Sequence, residues 1–160
     1  MKAVARLLFL TVSLATLPVA AETAPALSLE QSLNAALEDE YHAEAFYAAV
    51  IDRFGEVRPF SNIIRSEQTH QAMIVDLMRG YGFEVPKNEQ LGSAAIAAAV
   101  PASLGEACAI GVKAEIDNRD LYAANLLPAV AAYPDVTTVF ERLSAASDQK
   151  HLPAFERCAR

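Results

Sequence analysis

Two of the three histidines in this chain follow an acidic residue by three places: Glu67 and His70 in SEQTHQ, and Asp148 and His151 in SDQKHL. Residues three apart on a helix share a face, so each acid and its imidazole can reach one metal ion or two adjacent ones. Two further acids, Glu40 and Glu115, fall on helical stripes that are otherwise apolar. Four carboxylates buried together would take up protons unless something compensated them. Two divalent cations compensate four carboxylates completely, with both histidines neutral as ligands. Carboxylate and imidazole donors suit iron or manganese better than calcium. The candidate ligands are therefore Glu40, Glu67, His70, Glu115, Asp148 and His151, and no catalytic residue is assigned.

The surroundings of the two lone glutamates repeat. EYHAEAFY places Tyr47 seven residues after Glu40, and EIDNRDLY places Tyr122 seven after Glu115. Seven residues make two turns, so each tyrosine lies on its glutamate's face roughly 10 Å along. Tyr47 and Tyr122 are read either as plain core residues or as donors that orient the ligand carboxylates. The chain thus divides into two related halves, each a Glu helix followed by an acid-x-x-His helix. Glu44 is expected as a rim salt bridge, and His42, on another face, as a solvated histidine.

Four helices must position these groups. The first begins after Ser28, where SLEQ makes a capping box with Gln31, and runs to about Arg53. Its stripe is Leu33, Leu37, Glu40, Glu44, Tyr47 and Ile51, at alternating steps of four and three. FGEVRP is a turn broken by Gly55 and Pro59, and a second helix follows from Phe60 to Tyr81. Its stripe is Phe60, Ile63, Ile64, Glu67, His70, Ile74 and Leu77. Residues 82–102 read as a long connection. A second capping box, SLGE, opens a third helix at Ser103, expected to end before Pro128. The fourth starts near Asp135 and continues toward Cys158, with Phe140, Ser144, Asp148, His151 and Phe155 inward. Pro153 should bend or weaken its last turns. The expectation is an all-α chain: two antiparallel helix pairs joined by one long crossover.

Composition narrows the setting. Lys2 and Arg6, the apolar run LLFLTVSLATLPVA and the small residues VAAE read as a signal peptide over 1–21, leaving a domain at 22–160. Removing Lys2 and Arg6 leaves 11 basic against 20 acidic residues, a net charge near −9. That argues against nucleic acid or an anionic membrane as partner, and no later run is long enough to span a bilayer. Export would be to a periplasm, or to the medium where no outer membrane exists. Cys108 and Cys158 lie at the start of the third helix and the end of the fourth, so antiparallel packing brings them together as a disulfide. Glu115 and His151 each lie seven residues inward from that end, so they should fall level. The first helix pair matches less well, by about one turn. There is no CxxC pair to support a thiolate metal site.

The segments EYHAEAFYAAVIDRFGEVRPFSNIIRSEQTH, EACAIGVKAEIDNRDLY and SDQKHLPAFERC resemble an uncharacterised bacterial ferritin-like domain family, domain of unknown function 2202. More broadly, Glu, Glu-x-x-His, Glu, acid-x-x-His is similar to the ferritin-like di-iron carboxylate proteins. That resemblance implies a ferritin-like four-helix bundle with a dinuclear iron or manganese centre. It also implies ferroxidase, peroxidase or oxygen-dependent chemistry, whereas the narrower family implies no established reaction. Asp148 stands where the superfamily usually has Glu, so the second metal position is the weaker one. The expected partners are metal ions, peroxide or oxygen, and an external electron donor, with homo-oligomerisation left open. Two other readings use the same residues: non-enzymatic metal sequestration, and a metal-free helical interaction module with acids paired to Lys113 and Lys150.

Overall fold

The computed structural model describes residues 27–160. The expected signal peptide, 1–21, lies outside the described residues. Those residues are all-helical, with no strand among them. Helix α1 is Leu29–Phe54 and α2 is Phe60–Gly80; they pack along each other. Ser28 caps α1 as expected: its hydroxyl accepts from the Gln31 N–H at 3.2 Å while Gln31 Oε1 accepts from the Ser28 N–H at 2.8 Å. Gly55 ends α1 with φ +84°, a backbone region that side chains avoid.

The crossover contains one short helix the sequence pattern did not suggest, α3 at Ala94–Ala99, which packs on α1. It is tied down by polar contacts. The Tyr41 hydroxyl donates to the Pro86 carbonyl at 3.0 Å, and Arg53 Nη1 donates to the Val100 carbonyl at 3.1 Å.

The second half is also two long rods, each interrupted by a wide turn. The third rod starts at Ser103, whose capping box with Glu106 is formed, and runs as α4, Leu104–Leu121. A π-helical turn, Tyr122–Leu126, carries it on into α5, Leu127–Ala129. The fourth rod is α6, Pro134–Ala146, then a π-helical turn, Ser147–His151, then α7, Leu152–Cys158. The third rod does not stop before Pro128, as expected from the sequence. Each π turn ends two residues before a proline, Pro128 or Pro153. A helical proline lacks an N–H and its ring crowds the carbonyl four residues back. Bonding from i to i+5, Leu127 to Tyr122 and Leu152 to Ser147, widens the turn so that the proline is accommodated.

The core forms two apolar layers. One holds Leu33, Leu37, Ile74, Met78, Tyr122, Leu126 and Phe140; the other holds Phe46, Tyr47, Val50, Phe60, Cys108 and Phe155. In the second, Phe60 meets Phe155 edge-on at 5.1 Å and Tyr47 at 5.6 Å. Such aromatic pairs add about 0.5–1.5 kcal/mol beyond burial. Cys108 and Cys158 form the expected disulfide, with Cα atoms 5.7 Å apart. One turn beyond Cys108, α4 touches α7 so closely that a Cβ on Gly111 would lie 2.6 Å from the Phe155 ring. Every long rod passes from one layer to the other, and between the layers lies a polar band.

Candidate metal centre

The band forms because each rod places a charged group midway between its two apolar stretches. On α1, Glu40 and Glu44 lie between Leu37 and Tyr47; on α2, Glu67 and His70 lie between Ile63 and Ile74. The third rod supplies Glu115 and the fourth His151. Glu40, Glu67, His70, Glu115 and His151 are all buried.

Their side chains meet as two groups that share Glu67. Glu40, Glu67 and His70 form one, and Glu67, Glu115 and His151 the other; in each, the donor atoms all lie within 4.8 Å of one another. His70 Nδ1 is 3.1 Å from Glu67 Oε2 and 3.2 Å from Glu40 Oε2. His151 Nδ1 is 3.2 Å from Glu67 Oε1 and 3.4 Å from Glu115 Oε2. Glu67 therefore offers one oxygen to each side. The imidazole rings stack with centroids 5.7 Å apart. The levels counted from the disulfide hold for Glu115 and His151, and on the other pair Glu40 still meets Glu67 and His70.

Asp148, the sixth candidate, does not join. Its side chain is 45% exposed and lies 3.6 Å from Arg119 Nη1. The π turn explains this. Residues three apart share a face only at α-helical pitch, and an added residue per turn rotates Asp148 away while bringing Ser147, four before His151, inward. Pro153, two residues past His151, is the sequence feature behind the widened turn.

Two tyrosines serve as donors across the halves. The Tyr47 hydroxyl donates to Glu115 Oε1 at 2.7 Å, and the Tyr122 hydroxyl lies 3.5 Å from Glu40 Oε1. Each tyrosine thus reaches the glutamate of the other half. Glu44 makes no salt bridge among the described residues. It is buried and accepts from Gln68 Nε2, Gln71 Nε2 and Asn88 Nδ2 at 2.9–3.0 Å. His42 is exposed and pairs with Gln90.

Sequence spacing missed Ser66. Its hydroxyl lies 3.1 Å from His151 Nε2 and 3.3 Å from His70 Nε2, so it holds both rings with Nδ1 toward the carboxylates. A serine four residues before a candidate histidine on the same helix face is the signal that was there. An imidazole whose far nitrogen is so held is oriented as a metal ligand requires.

Electrostatics show what the groups lack. Burial, then the neighbouring Glu67 carboxylate, pushes the Glu40 carboxyl well above its ordinary range. Burial also works against Glu67, but hydrogen bonds with His151 and His70 outweigh it and bring Glu67 down to about 2. For His151 burial is likewise outweighed, by Glu115 and Glu67, and its pKa rises to about 9. Yet His151 Nδ1 is buried without a well-formed hydrogen bond, although two carboxylate oxygens flank it. A buried nitrogen set among acids and left without a good partner fits a cation between them, so the donor set suits a divalent transition metal.

A family model described as an uncharacterized protein domain, DUF2202, matches residues 31–159. A solved structure of a hypothetical protein from Methanococcus jannaschii, MJ0754, is similar in fold: TM-score 0.65, 23% identity, over 92% of this chain and 85% of that one. No curated protein matches the chain.

Proposed function

We propose that this chain, which belongs to the family of uncharacterized DUF2202 domains, is an exported ferritin-like four-helix bundle that binds two metal ions, iron or manganese, for redox chemistry. The observation that carries the proposal is the sharing of Glu67, one carboxylate oxygen toward each histidine. A carboxylate that faces two ligand groups at once is the expected bridge between two adjacent cations. Glu40 and His70 would complete one side, Glu115 and His151 the other. Bound iron or manganese would supply electron transfer to peroxide or oxygen, with an external donor as the source of electrons.

The protein's own contributions are positional. Ser66 fixes the two imidazoles, and Tyr47 holds Glu115 by its hydroxyl, while the Tyr122 hydroxyl lies near Glu40 at 3.5 Å. The apolar layers on both sides limit water at the carboxylates to a single adjoining cavity, which strengthens their attraction for a cation. The three glutamates of the two groups, Glu40, Glu67 and Glu115, offset three of the four positive charges of two divalent ions. The formed disulfide supports an oxidising location outside the cytoplasm.

Elemental analysis of protein purified without chelator, beside Glu67→Ala, tests the proposal. About two metals per chain are expected, with both lost in the variant. Unchanged content in Glu67→Ala would sink it. Sequestration without turnover uses the same ligands and is distinguished by the absence of peroxide or oxygen consumption by the loaded protein. Against a metal-free module, Lys113 pairs with Asp117 and not with the buried acids.

A further inference from the structure

We propose that Asp39 and Asn118 form an outer position for a divalent cation, in the acidic cavity through which metal ions reach the Glu67-centred groups. It rests on the metal-binding reading of those groups and adds a site to it. The cavity, about 230 Å³, is lined by Glu40, Glu67 and Glu115 and also by Asp39, Asn118 and Asp117. Lys113 and Asp117, both largely solvent-exposed and paired with each other, mark its outer end. Five carboxylates face it against one lysine and His42. A cleft lined by one sign of charge concentrates the opposite ion and raises its on-rate by roughly 10 to 10³.

Acidity alone would not define a site. The second observation is Asn118, which is only 7% exposed and whose buried Oδ1 has no hydrogen-bond partner. Its Nδ2 donates to Asp39 Oδ2 at 2.5 Å. That bond fixes the amide, because a flipped amide would turn its oxygen against the carboxylate. A carbonyl oxygen is thereby held without a donor beside a carboxylate, at the wall of a cavity whose charged lining is mostly carboxylate. A buried acceptor left unpaired is unfavourable, and a cation satisfies it and the Asp39 carboxylate together.

Position supports an access role. Asp39 immediately precedes Glu40 on α1, and Asn118 follows Glu115 by three on α4, so the outer position lies beside a ligand from each inner group. It offers oxygen donors only, so transition ions bind it more weakly than the imidazole-containing groups inside. A site of that strength can pass an ion inward.

Cobalt(II) is the probe, its uptake followed by visible absorption after rapid mixing, with equilibrium cobalt content measured in the same samples. Asn118→Leu and Asp39→Asn are expected to slow loading at least tenfold while final content stays at the wild-type value. Asn118→Asp keeps an oxygen donor and is expected to load at least as fast as wild type. Wild-type rates in Asn118→Leu and Asp39→Asn would overturn the outer position and leave the inner centre standing. Lost equilibrium cobalt in Asn118→Leu, with Asn118→Asp normal, would put Asn118 among the inner ligands and also overturn the access role. A wild-type chain that takes up no cobalt would remove the inner centre, and the outer position with it.

Discussion

On α2, Glu67 and His70 stand three residues apart on a regular helix, and their side chains approach to 3.1 Å. On the fourth rod, Asp148 and His151 have the same spacing, but only His151 turns inward, and Asp148 faces Arg119. The difference lies in the residues C-terminal to each pair. Helix α2 continues through Gln71 and Ala72 to Gly80, whereas Pro153 lies just past His151 and the turn before it widens. Spacing places two side chains on one face only at a known helical pitch. The first half therefore contributes three donors, Glu40, Glu67 and His70, and the second two, Glu115 and His151, with Ser147 facing the cavity where an acid was expected.

The largest test of this asymmetry is metal content in paired variants. His70→Ala is expected to lose at least one metal per chain, while Asp148→Ala keeps the wild-type content. Equal losses in the two would break the comparison, since Asp148 would then ligate after all.

A smaller effect lies in pH. His151 in the metal-free protein is raised from 6.5 to about 9, despite burial, by Glu115 and Glu67. A raised pKa adds stability that is complete below the unfolded value and is lost as pH climbs through the folded one. The metal-free protein should therefore lose melting temperature between pH 6.5 and 9. Metal binding must displace that proton, so affinity should rise over the same window by about tenfold per pH unit. Melts that fall with pH without manganese(II) and stay nearly flat when it is saturating are the expected result, because the gain in affinity offsets the lost stability. A flat affinity across the window would mean that His151 is not a ligand.

The smallest effect compares the tyrosines. Tyr47→Phe removes a 2.7 Å bond to Glu115, and loss of a ligand's orienting partner typically weakens metal affinity about 10- to 100-fold. Tyr122→Phe removes a contact at 3.5 Å, beyond normal hydrogen-bond length, and should cost less than about threefold. Titration of both variants with the same metal checks the order; a reversal would place the tighter site in the first group.

The sequence by itself determined the four long helices, both capping boxes, the disulfide and the inward faces of five of the six candidate residues, because each depends on local periodicity or on register counted from a fixed end. Ser28 and Ser103 cap within three residues, and Glu40, Glu67, His70 and Glu115 lie on regular α-helix, where burial follows a 3.6-residue stripe. It did not determine Asp148, because whether a proline kinks a rod, ends it or widens the turn before it depends on what the rod packs against. Pro128 shows the same failure at the third rod, which continues where a stop was expected. Glu44 was misjudged for a related reason. Its three amide donors come from α2 and from the crossover, 24 to 44 residues away, and no spacing within α1 encodes them. The crossed tyrosines, the shared Glu67 and the Ser66 hydroxyl between two imidazoles arise only when four rods meet. Tertiary structure alone decided them, since each joins side chains from different elements at distances that a one-dimensional pattern does not carry.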